Sequence, residues 1–209
     1  MNRWLDRGIT LLLLALLGWA GWSMLHWLLV AADWSVVTTN LPLYAVGSFP
    51  ADQRWRPLLW MAALITLTLL TLTGPKRGWV RRWLPLVWIA MAPLGLWLLA
   101  GGLGLLPVGT RSWGGLTLTL LLTGGSGALA LPLGILLALG RRSELPVLRW
   151  SSAAYIELMR AVPLIAVLFF GQLLIPLFLP PGLEINRVLR AVVAFALFAA
   201  AYIAEDVRG

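Results

Sequence analysis

The sequence contains no cysteine, one histidine and only eight acidic residues among 209, and each shortage closes off a class of chemistry. Without cysteine there is no disulfide, no thiolate nucleophile and no sulfur-ligated metal. His26 has no second ligand type near it in sequence and so points to no metal site. Charged residues make up 11% of the chain, and none stands clear of the ends of its apolar runs. That argues against a carrier driven by protons or sodium through ionisable groups at mid-membrane. A Gly-rich phosphate loop of the form G-x-x-x-x-G-K-[ST] is missing too; the nearest phrase, Gly74-Pro75-Lys76-Arg77-Gly78, has neither its spacing nor its hydroxyl. With no H-E-x-x-H, no nucleophile elbow and no buried carboxylate pair, the chain is not expected to be an enzyme, and no cofactor is expected. If it moves a solute, the energy comes from a partner.

What is present is chiefly apolar: 60% of the residues are hydrophobic, far from an ordinary globular composition. Six apolar runs, at about residues 9 to 30, 57 to 73, 84 to 106, 115 to 139, 161 to 179 and 188 to 204, reach or approach the roughly 20 helical residues that cross a hydrocarbon core. None alternates polar with apolar residues as a barrel strand does, so helices are required. The expected fold class is all-α: a polytopic membrane protein with about six transmembrane helices. Arg3 and Arg7 precede the first run, which at 22 residues predicts a retained signal-anchor helix; a cleaved leader has an apolar stretch of about 7 to 15.

Sixteen Lys and Arg fall between these runs. Placing the amino terminus in the cytoplasm puts eleven of them inside and five outside, so the positive-inside rule predicts that orientation. The segment 141 to 160 is then cytoplasmic, as is the basic loop 76 to 82. In a soluble chain the same excess would suggest nucleic acid, but no Arg/Lys stripe with interleaved aromatics occurs, so lipid headgroups are the expected partner and nucleic acid is not. Trp4, Trp34, Trp55, Trp60, Trp79, Trp83, Trp113 and Trp150 fall near the expected ends, where an amphipathic ring prefers to sit. Trp19, Trp22, Trp88 and Trp97 lie deeper, as lipid-facing bulk or as an aromatic cage. The loop 31 to 56, with Asp33, Asn40, Pro42, Pro50 and Asp52, is expected to be an ordered connection and not a domain.

Composition changes at Trp113. Ala130, Gly134 and Ala138 are four apart, share one helix face and let a neighbouring backbone come close; Pro132 is expected to kink that helix. The sixth run is rich in alanine, from Ala191 to Ala204. Residues 1 to 112 are therefore expected to form an accessory membrane region, and 113 to 209 a tightly packed helical core. Between the fourth and fifth runs lies the one charged amphipathic segment of the second half, 141 to 163, which must lie at a membrane surface. There Glu157 and Arg160 are three apart, so on a helix they can pair. Two readings stand: an exposed pair on an interfacial helix, worth well under about 1 kcal/mol, or a cytoplasmic gate that also fixes the helix break before Pro163, which disfavours helical geometry at Val162. Gln172, the most polar side chain of the fifth run, either contacts a polar solute or bonds a neighbouring helix.

The run from Trp113 to Leu120, followed by Leu131-Pro132-Leu133-Gly134 and Leu139-Gly140-Arg141-Arg142-Ser143, resembles the opening of the core of polar amino acid ABC transporter permeases. Tyr155, Glu157, Arg160 and Pro163 look like that family's early motif, and Glu205, Arg208 and Gly209 like the opening of its cytoplasmic coupling segment. The extra helices ahead of Trp113 are similar to those of the larger permease of general L-amino acid uptake systems, as is Ile165-Ala166-Val167, where many members have Gln. The resemblance implies a partial type I ABC importer permease core in a bacterial plasma (inner) membrane, passing amino acids at the expense of ATP hydrolysed by a separate subunit. It implies a second homologous permease, cytoplasmic ATP-binding subunits and an extracytoplasmic amino-acid-binding protein as partners. In such permeases the Arg-Gly pair runs on into an ATPase-docking loop, so a permease incomplete at its carboxyl end is expected. The rival expectation is a non-transporting membrane scaffold or assembly subunit, or an inactive permease fragment.

Overall fold

A computed structural model describes residues 3–74, 78–180 and 182–208, and among these the regular structure is helical apart from one isolated bridge between Gly102 and Leu105. Contacts divide the chain into two compact units, Met1–Leu41 and Pro42–Gly209.

In the first unit α1 (Arg3–His26) continues through a wide π turn, Trp27–Ala31, as one rod long and apolar enough to cross a bilayer. None of the side chains of α1 is buried, Trp19 and Trp22 included, which suits a helix whose solvent is lipid. The indole N–H of Trp34 donates to the Leu28 carbonyl at 2.9 Å, folding the chain back at the end of the rod. Asp33 Oδ1 accepts the Ser35 N–H at 2.9 Å and caps α2 (Ser35–Val46). The Ser35 hydroxyl and N–H together hold the Asp33 carboxyl below its usual range. The ordered connection expected over 31 to 56 thus contains a 12-residue helix, which Pro42 does not interrupt.

In the second unit α3 (Trp55–Thr73) and α4 (Gly78–Ala100) are antiparallel. Trp60 on α3 occupies the space left by Gly95 and donates to Met91 O at 3.0 Å, and Trp88 on α4 donates to Thr71 Oγ1 at 3.1 Å. The span expected to reach residue 106 ends instead at Ala100. Gly101, Gly102 and Gly104 take positive φ, and the turn they make returns the Val108 N–H to Ala100 O at 2.9 Å. Lys76 and Arg77, counted for orientation, lie outside the described residues.

The remaining elements are α5 (Gly115–Arg141), α6 (Pro146–Ala161), α7 (Leu164–Phe169), α8 (Ile175–Phe178) and α9 (Arg187–Arg208). The first turn of α5 is pinned to the last residues of α2, from Tyr44 on, which belong to this second unit. Gly115 takes φ +60°, Gly47 and Gly114 let the backbones touch, and Thr117 Oγ1 donates to Ala45 O at 2.9 Å. Around this point Val46, Phe49, Trp60, Leu99, Val108, Trp113, Leu121 and Val188 form one apolar cluster. Trp60 and Trp113, expected as boundary anchors, are only 3% and 7% exposed and belong to that core.

From there α5 and α9 run side by side in the same direction. Gly125 faces Val192, Ala130 packs with Ala196 and Ala200, and Ala138 with Ala204. A Cβ on Gly134 would fall 2.8 Å from Ile203 Cβ and 3.0 Å from Ala200 O, so the two backbones approach as closely as glycine allows. In lipid, where apolar side chains gain nothing by leaving solvent, such close van der Waals contact is what holds helices together. α5 continues unbroken through Pro132.

The chain then folds across the finishing ends of this pair as α6, bends by 103°, and returns along α9 as the arm Leu164–Phe178. A π turn, Phe170–Leu174, widens the arm where Gly171 meets Ala194. Five described helices are long and apolar enough to span a membrane, six if the bent pair is one span.

Candidate functional site

The site is the level at which α5 ends, α6 crosses and α9 ends. Pro146 opens α6, its missing N–H being one that a first helical turn leaves unbonded in any case. The inner face of α6 is then seated by three contacts: the Ser152 side chain fills the space over Gly140, Ile156 is fully buried with Ala138 and Ala204, and the Tyr155 hydroxyl donates to Leu197 O at 2.9 Å.

Seated this way, α6 brings its charges to those of its neighbours. Arg141 Nη1 lies 2.9 Å from Glu205 Oε2, and Arg160 Nη1 lies 3.1 Å from the same oxygen. Arg141 reaches Glu157 Oε1 with its other terminal nitrogen, at 3.8 Å. The Arg160 guanidinium also stands 6.0 Å from the centre of the Tyr202 ring, one turn before Glu205 on α9. Glu205 occupies the last turn of α9, where the helix dipole disfavours a carboxylate, and two arginines on one oxygen offset that. The Arg141 and Glu205 side chains are 22% and 30% exposed while Glu157 is 70% exposed. On that ground the Arg141–Glu205 pair is worth on the order of 1 kcal/mol and the Glu157 contact about a few tenths.

The structure therefore brings Tyr155, Glu157, Arg160 and Glu205 together but alters one pairing. Glu157 and Arg160 do not bond each other; Arg160 turns to the less exposed carboxylate on α9, beside an aromatic face, and Glu157 is left to the solvent side and Arg141. Pro163 starts the bend. Gln172 lies elsewhere, in the π turn of the arm, where its Nε2 donates to Arg187 O at 2.9 Å and so bonds a neighbouring helix. Arg208 closes α9, and Gly209 lies outside the described residues. Sequence reasoning placed Arg141 at the start of the charged segment but missed its pairing with Glu205. It could have been found by matching charges of opposite sign at run ends that the positive-inside count places on one side, which pairs the end of the fourth run with that of the sixth.

No family model matches the sequence, and no solved structure does. Among curated proteins, the inner membrane amino-acid ABC transporter permease protein YhdY of Escherichia coli K12 is 41% identical over 195 residues, covering 91% of this chain and 52% of that protein. The chain is a homologue of amino-acid ABC transporter permeases. The glutamate/glutamine/aspartate/asparagine transport system permease protein BztC of Rhodobacter capsulatus is 33% identical over 233 residues, 85% of this chain and 54% of BztC. The glutamate/aspartate import permease protein GltK of Escherichia coli O6:H1 is 34% identical over 99 residues, 45% of this permease homologue and 44% of GltK. The chain spans about half the length of the curated relatives that it matches over most of its own.

Proposed function

We propose that the chain is a membrane-spanning permease subunit of an ATP-driven importer for amino acids, with ATP hydrolysed by a separate subunit. The observation that carries this reading is the likeness to amino-acid permeases along most of the chain. The geometry fits it: α5 and α9 packed in parallel, with an arm returning beside them, make a rigid wall for a polar path, and their charged ends offer a handle at one membrane surface. In this reading residues 113 to 209 supply the transport core and 1 to 112 an accessory region. The amino terminus and the Arg141–Glu205 cluster face the cytoplasm, the orientation that the count of Lys and Arg favours. Tyr155, Glu157, Arg160 and Pro163 act at the gate, Glu205, Arg208 and Gly209 at the coupling segment, and Gln172 beside the path. The partners are a second homologous permease, cytoplasmic ATP-binding subunits, an extracytoplasmic amino-acid-binding protein and membrane lipid.

Purifying the complex from its own membrane by a tag on this chain, and measuring uptake of labelled amino acids in proteoliposomes, tests the proposal. ATP-dependent uptake is expected. Recovery of a second permease without any ATP-binding subunit, and without uptake, would establish the scaffold in its place. Because the chain has no cysteine, orientation is tested by single cysteines at Ser48 and Ser143: an impermeant reagent outside intact cells is expected to label the first and spare the second.

A further inference from the structure

Three helices end within reach of one carboxylate. Arg141 is the last residue of α5, Arg160 stands one residue before the end of α6, and Glu205 lies in the last turn of α9. Each arginine approaches the same oxygen, at 2.9 Å and 3.1 Å, so Glu205 cannot shift relative to α5 without parting from Arg141. Nor can it shift relative to α6 without parting from Arg160.

We infer that Arg141 is a positioning residue of the transport cycle: with Arg160 it clamps Glu205, so that the end of α9 and the crossing helix α6 move as one body. The inference rests on the permease reading above and names the part of it that transmits movement. The last turn of α6 has little else to hold it, since Leu158 is exposed and Glu157 more so. Immediately beyond is the bend at Val162–Pro163, so the position of Arg160 sets where the arm begins. That arm carries Gly171 and Gln172 against α9. A pull on the end of α9 thus reaches the arm through Glu205 and Arg160, and Arg141 fixes the starting point of the stroke.

Two measurements on the intact complex test the assignment. The first is the number of amino acids carried per ATP hydrolysed. Arg141→Gln and Glu205→Gln are each expected to lower it about fivefold, and the double variant to be no worse than either, as residues acting through one contact behave. Arg141→Lys is expected to restore most of the ratio, because lysine keeps the Glu205 bond and gives up only the longer reach to Glu157. The second measurement is the spin-label distance between cysteines introduced at Ser151 and Val207, in a chain with no cysteine of its own. One narrow distribution is expected for the parent and a broadened one for Arg141→Gln.

A narrow distribution in Arg141→Gln, an unchanged ratio in that variant, or additive losses in the double variant would overturn the assignment while leaving the permease reading intact. Absence of ATP-dependent uptake by the unsubstituted complex overturns the permease reading, and the inference with it, whatever the distances show.

Discussion

The two ends of the α5–α9 pair are fastened by different physics. Where the pair starts, the fastenings are packed apolar side chains and side-chain bonds to backbone carbonyls: Thr117 to Ala45 O at 2.9 Å, and Arg56 Nη1 to Leu106 O at 2.7 Å with Arg56 only 3% exposed. Where it finishes, they are ion pairs between flexible side chains within reach of water. A hydrogen bond donated by a buried side chain is out of reach of salt, and losing it costs about 1 to 3 kcal/mol. An ion pair near water can open and close again, since water and salt stand in for each partner. One end is therefore held by contacts that salt does not reach and the other by contacts that salt weakens.

Substitutions can break this comparison. The largest effect is expected from Trp60→Ala at the fixed end, which empties the space beside Gly95, frees Met91 O and costs about 3 kcal/mol, read as a fall in the midpoint of thermal unfolding in detergent. Next comes Arg56→Met, expected to cost about 2 kcal/mol by removing the hydrogen bond that the buried guanidinium donates to Leu106 O, and to cost the same at low and high salt. At the ion-paired end Arg141→Gln is expected to cost about 1 kcal/mol at low salt and much less near 1 M, where the screening length falls to about 3 Å. Glu157→Gln should move the midpoint least, by about a few tenths of a kcal/mol. A Trp60→Ala loss smaller than that of Arg141→Gln, or a salt-sensitive Arg56→Met, would erase the distinction between the two ends.

The spans were legible because a bilayer demands some twenty apolar residues in a row, and sequence displays that directly. The packing of α5 on α9 was half legible: Ala130, Gly134 and Ala138 announced a close-contact face, but nothing local named Ala200 and Ile203 as what would press on it. The overlong third run shows the reverse failing. Leu103, Leu105 and Leu106 kept it apolar past Ala100, and the glycines between them, which take the left-handed conformation and stop the helix, were outweighed by hydrophobicity. α2 stayed hidden because Asn40 and Pro42 read as loop residues, although the Asn40 side chain merely donates to Val36 O one turn back. In the candidate site, three-residue spacing drew Glu157 to Arg160, while the carboxylate that Arg160 contacts lies 45 positions onward and could be found only by comparing run ends.

The corner at Val162–Pro163 has a mechanical side. The last N–H of the crossing helix, from Val162, bonds backwards to Leu158 O at 3.2 Å, and the first N–H groups beyond, from Ala166 and Val167, bond to Pro163 O at 2.9 and 3.4 Å. Proline itself has no N–H to offer. None of these bonds bridges the corner, so opening or closing its angle breaks none of them, and what resists is side-chain packing and the Gln172 bond to Arg187 O farther along the arm. A rotation of about 10° at that single peptide sweeps the far tip of the roughly 22 Å arm through about 4 Å.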